Sequence, residues 1–148
     1  MKKAVAVVAV AIVVAGCEAR SQAPSLKESL AGVAGVYTAA ATGYDYSARE
    51  ELERILSTAE PRAIVPVLVD CLDNSAPSRS TLDGRPVSVG MVCYEALTQL
   101  VYYEPTAPSG DVALEWEGYV APSASAQDLR AAKKAWMQMV EQDAYILQ

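Results

Sequence analysis

The chain has 148 residues, 52% of them apolar, and its 12 basic against 18 acidic side chains leave a formal charge of −6. It contains no His, which excludes Ser–His and Cys–His nucleophile arrangements and removes the commonest metal ligand and pH switch. An acidic balance also lacks the basic footprint that phosphate backbones require, so nucleic acid is not an expected partner.

The chain begins Met1-Lys2-Lys3, and residues 4–15 form an unbroken apolar run ending at Gly16 and Cys17. That run suits the hydrophobic region of a secretory signal and falls short of the ~20 residues a spanning helix needs. The tetrapeptide Val14-Ala15-Gly16-Cys17 resembles the lipobox of bacterial lipoproteins, with Val where Leu is usual. The resemblance implies cleavage before Cys17 and acylation of that residue, so the only prosthetic group expected is this covalent lipid. Several acyl chains hold a protein on a membrane durably, at ~0.8 kcal/mol per buried methylene. Glu18 follows where an aspartate favours inner-membrane retention in Gram-negative lipoproteins, so the resemblance points to the periplasmic side of the outer membrane. Without Lys2 and Lys3 the mature chain carries −8.

Residues 17–25 read as a polar lipidated tether, and residues 26–148 as a single domain. Leu26, Leu30, Val33, Val36 and Tyr37 keep a helical spacing, weakened by Gly32 and Gly35. Residues 38–46 are Ala-rich and then turn-like. Ser47-Ala48-Arg49-Glu50 has capping-box spacing and opens a second helix with Leu52, Ile55, Leu56 and Ala59 on one face. Pro61 suits a first helical position. The β-branched run behind it invites a strand, but Pro66 could not join a central ladder, so a helix to Leu72 is expected. Residues 73–87 are a polar insert in which Asp83-Gly84 marks a turn that can tip a short hairpin. Ser88 caps a further helix with Val89, Val92, Cys93, Ala96, Leu97, Leu100 and Val101 buried and Glu95, Thr98 and Gln99 outside.

The segments Glu60 to Asp73 and Val89 to Leu97 resemble a HEAT-type helix pair. With no second copy at the family's period, the expected fold is mainly all-α: a small bundle of HEAT-like helix pairs with a long polar insert. Residues 104–124 are irregular, broken by Pro105, Pro108, Gly110, Gly118 and Pro122. Ser125 and Asp128 then cap a terminal helix bearing Leu129, Ala132, Trp136, Met139 and Val140, which frays at Asp143.

Three groups of residues are candidates for chemistry. Cys71 and Cys93 are expected to form a disulfide, since export delivers them to an oxidising compartment and their count without Cys17 is even. Tyr94, Tyr102, Tyr103, Trp116 and Tyr119 gather round the end of the Ser88 helix and the following loop. Such aromatics either anchor an interface or seal a bundle end. Asp111, Glu115 and Glu117 lie in the same loop, where paired acids could cleave sugars or simply be solvated. No metal site is expected: His is absent, Cys few, and the EF-hand spacing missing. The reading that follows is a non-enzymatic, lipid-anchored periplasmic domain. It would present Tyr102, Tyr103, Trp116, Tyr119, Glu115 and Glu117 to a protein partner of cationic character, as an envelope adaptor or an inhibitor or immunity protein. A carboxylate-dependent wall hydrolase and a purely structural lipoprotein are the alternatives.

Overall fold

A computed structural model describes residues 24–148. The signal sequence, the Val14–Cys17 tetrapeptide and most of the tether lie outside the described residues. The first helix, α1, is Leu26–Gly32, opened by a capping box in which Ser25 Oγ accepts from Glu28 N–H (3.2 Å) and Ser25 N–H donates to the Glu28 carboxylate (2.8 Å). Helix was expected to continue to Tyr37. Instead Val33 is already extended, and Val36–Ala40 form strand β1, which turns back as β2 (Gly43–Tyr46). Val, Tyr and Thr favour a pleated surface. In the strand, Tyr37 is buried with its ring 4.5 Å from that of Tyr46, while Val36 faces out.

The polar insert forms the hairpin that its Asp83-Gly84 turn allowed, and more of it than a tip. Its residues form β3 (Pro77–Leu82) and β4 (Arg85–Ser88), a hairpin whose Leu82↔Arg85 pair closes on Asp83 and Gly84, with φ of 51° and 74°. Two successive positive φ values are the type I′ signature that matches strand twist, and Gly84 meets it without steric cost. β3 also pairs in parallel with β1 (Val36↔Thr81), giving a mixed sheet in the order β2-β1-β3-β4. The inward side of β3 carries serines. Ser80 Oγ donates to Val33 O (2.8 Å), accepts from Gly35 N–H (3.2 Å) and bonds Tyr46 Oη (2.7 Å), while Ser78 Oγ donates to Val87 O (2.9 Å). Buried hydroxyls are tolerated when partnered in this way.

The expectation of a mainly all-α bundle of HEAT-like helix pairs is therefore corrected to an α/β architecture. Among the described residues, five helices accompany the four-stranded sheet and a two-stranded ribbon. The remaining helices are α2 (Arg49–Leu56), α3 (Pro61–Cys71), α4 (Val89–Leu100) and α5 (Ala126–Glu141). Pro61 sits at the start of α3, Ser88 Oγ caps α4 at Met91 N–H (3.2 Å), and Ser125 with Asp128 forms the capping box of α5. Ser47 does not cap α2, whose N-cap is Ala48 without a side-chain bond; its Oγ instead accepts from Val36 N–H (2.9 Å).

Leu30, Leu52, Leu68, Leu72, Leu97 and Trp136 are fully buried between these elements. Cys71 at the end of α3 and Cys93 early in α4 are disulfide-bonded, with Cα atoms 6.0 Å apart. At the other ends of these helices, Arg62 lies over the Tyr145 ring (5.4 Å) and Gln148 Nε2 donates to Thr98 O (3.2 Å). One C-terminal segment thus touches the start of α3 and the end of α4, so the two helices run in opposite directions. Helix α4 is buried almost all round, and Glu95, expected outside, is half-buried. The tail does not fray after α5. Asp143, at φ 49°, turns the chain so that β6 (Ile146–Leu147) pairs with β5 (Val101–Tyr102), and Gln148 N–H donates to Leu100 O (2.9 Å). Among the described residues, no helix is long and apolar enough to cross a membrane.

Candidate interaction surface

The β5–β6 ribbon sorts the first two aromatic candidates. Successive strand residues face opposite ways, so Val101 is buried and Tyr102 points outward beside its cross-strand partner Ile146, while Tyr103, just past the strand, packs against the core. Trp116 folds back from the loop onto Tyr103, its ring 4.7 Å away, and lies 5.0 Å from both Tyr119 and Trp136. These are edge-on contacts, the arrangement the aromatic quadrupole prefers. Trp136 on α5 is buried and donates Nε1–H to Gly118 O (2.8 Å). Tyr94 Oη accepts from Val120 N–H (3.3 Å), and Tyr119 Oη donates to Tyr103 O (3.2 Å). The loop is thereby fastened to α4, α5 and the ribbon through aromatic packing and through the polar tips of Trp136, Tyr94 and Tyr119.

What the fastening leaves outside is apolar and acidic. Residues 105–113 make a small turn held by the Thr106↔Val112 bridge and by Ala107 N–H to Asp111 O (2.8 Å). Beyond it Leu114 is 89% exposed; Ile146 is 66% exposed, and Val112, Tyr102 and Tyr119 are exposed as well. Glu104, Asp111, Glu115 and Glu117 are also exposed, and the chain has no Lys or Arg between Arg85 and Arg130. Tyr102 Oη donates to the Glu104 carboxylate, which holds the phenol above its ordinary range. Partial burial and the Glu104 charge push the Tyr119 phenol up as well. Both tyrosines therefore remain neutral hydrogen-bond donors at physiological pH.

Of the residues expected at the surface, Tyr103, Trp116 and Tyr119 are gathered into one cluster with Trp136 and Tyr94. Tyr102 occupies the opposite side of the ribbon, and Glu115 and Glu117 are solvent-exposed on either side of Trp116 in sequence. Trp116 and Tyr103 pack against the core, whereas Tyr102 and Tyr119 stay half-exposed, Tyr119 while also bonding the Tyr103 carbonyl. Sequence reasoning missed Val112, Leu114, Ile146 and Glu104. The alternation of Tyr145, Ile146 and Leu147 was the available signal for the ribbon, hidden because a two-residue strand has no periodicity of its own. Cys71 and Cys93 are 1% and 0% exposed and so form a structural bond rather than a ligand site.

A second polar group lies between α2, α4 and the β1–β2 hairpin. Glu95, with 12% of its side chain exposed, has its carboxyl pushed up by burial, opposed by the Arg49 guanidinium 3.7 Å away. Tyr37 is raised by its own burial and then by the Glu95 charge. Comparison with protein-family models, with curated proteins and with solved structures found no match to this chain.

Proposed function

We propose that the protein is a lipid-anchored domain of a bacterial envelope that binds a basic protein partner through the ribbon and the 104–124 loop. The reading rests on one observation above all: exposed Tyr102, Val112, Leu114 and Tyr119 share with four exposed carboxylates a stretch of chain without a cation, and exposed Ile146 pairs with Tyr102 beside it. Apolar side chains gain about 25 cal/mol per Å² when a partner covers them. The surrounding carboxylates repel acidic surfaces and steer basic ones. The address is supported by Val14-Ala15-Gly16-Cys17 with its preceding apolar run, and the Cys71–Cys93 bond accords with an oxidising compartment. The periplasmic side of the outer membrane is the favoured location, and the role is contact rather than turnover: an envelope adaptor, or an inhibitor or immunity protein for a wall-active enzyme.

The test is capture from native envelopes with full-length, detergent-solubilised protein. A basic protein should be retained at low salt, released as salt rises, and held at least about tenfold more weakly by Leu114→Asp, since burying a leucine contributes ~1.5–3 kcal/mol. Retention indifferent to both salt and Leu114 would refute the surface. Cleavage of peptidoglycan that disappears in Glu115→Gln or Glu117→Gln would replace binding with hydrolysis.

A further inference from the structure

A groove of about 800 Å³ lies between β4 and the start of α5, within the size range of ligand sites. Strand β4 ends the sheet order β2-β1-β3-β4, so one of its long sides has no strand beside it. The direction of its backbone groups follows from two bonds. Val89 N–H donates to Ala76 O (2.8 Å), and Val87 O accepts from Ser78 Oγ (2.9 Å), both toward β3. Backbone groups alternate along a strand, so the Pro86 carbonyl and the Ser88 N–H face the other way, and both residues line the groove.

This edge is blunted against an antiparallel neighbour. Pro86 has no N–H to offer, and the Ser88 carbonyl is engaged in starting α4, of which Ser88 is the N-cap. What remains is one acceptor and one donor on either side of Val87. In a parallel ladder a residue donates its N–H to the carbonyl before its opposite number and accepts from the N–H after it. The free pair has that spacing. Across the groove stand short side chains, Ser123 and Ala126, over a floor that includes Leu129, so there is room for a backbone and an apolar contact beneath it.

We propose that this groove is a peptide-binding site that takes one extended segment parallel to β4. The central residue of the segment donates to the Pro86 carbonyl and accepts from the Ser88 N–H, with a neighbouring apolar side chain set toward Leu129. Main-chain bonds supply the attachment and the pocket supplies the selectivity, as in strand addition generally. Asp73 is already paired with Lys133 (2.9 Å), which leaves Asp83 and Arg85 to balance along the lining, so the segment is uncharged. The site borders the end of the 104–124 loop at residues 122–124 but uses none of its aromatic side chains, and it does not depend on the lipid anchor.

Full-length ¹⁵N-labelled protein in detergent micelles is panned with a randomised library of end-capped hexapeptides, and the enriched peptide becomes the probe. The expected result is enrichment of peptides with an apolar residue next to the centre and a shift of the Ser88 amide resonance on binding. N-methylation of the central residue, and separately Ala126→Trp, should each weaken binding at least about tenfold. Ala126 is exposed, so its replacement fills the groove without entering the core, and Ser123→Trp gives an independent blockade. No enrichment over the Ala126→Trp protein, or binding unchanged by both tryptophans, overturns the proposal.

Discussion

Two glycines predict opposite outcomes for the same substitution. A Cβ on Gly90 would fall onto the Leu72 carbonyl oxygen, and Gly90 N–H donates to Asn74 O (2.9 Å), so the backbones cannot part without losing a bond. Gly90→Ala should therefore lower the unfolding free energy by about 1–3 kcal/mol in urea titrations. Gly32 has nothing near its missing Cβ and no positive φ, so Gly32→Ala should raise stability by up to about 1 kcal/mol through the unfolded chain. Glu95 makes a prediction in pH. Burial raises its folded carboxyl pKa above the unfolded value, so its contribution is fully present below the unfolded pKa and is lost as pH rises through the folded one. Measured from mildly acidic to neutral pH, the parent protein should lose stability relative to Glu95→Gln. A parallel pair of pH profiles would show that Arg49 neutralises the burial completely.

Among the elements, helices were legible where their ends announced themselves, and strands were not. Ser125-x-x-Asp128 and Ser47-x-x-Glu50 share one pattern, yet only the first forms a capping box. Ser47 had a competitor that local sequence does not reveal, the Val36 N–H at the foot of β1. The β3–β4 hairpin was legible at its Asp83-Gly84 tip, but the length of β3 was not, because its buried positions are Ser78 and Ser80 and the alternation marking a half-buried strand is missing. β1 depends on Thr81 and Leu82, far along the chain, for its inner neighbour. The loop was legible as irregular and aromatic, but which tyrosine faces solvent is decided by the Tyr102↔Ile146 pairing. The attachment of that loop is testable at Trp136, since Trp136→Phe keeps an aromatic ring there while removing the pyrrole half of the indole and with it the donor to the Gly118 carbonyl. A loss of about 1–3 kcal/mol is expected, with hydrogen exchange at residues 118–120 accelerating before that of α4. Uniform acceleration would mean that the loop has no separate fastening.

At the scale of the molecule, the legible features were the cross-link, the antiparallel run of α3 and α4, and the acidic character of the surface. The sheet that turns a bundle into an α/β body was not. The cross-link spans 22 positions, and replacing both Cys71 and Cys93 by Ala should lower stability by about 3 kcal/mol in the chain-entropy account, read by thermal or urea unfolding. Its sulfurs are sealed inside the packed interior. Dithiothreitol, though small and uncharged, cannot reach them until that interior loosens, so the pace of cleavage becomes a stopwatch for breathing motions. Gly32→Ala should slow the stopwatch and Gly90→Ala should hasten it, without either residue touching sulfur.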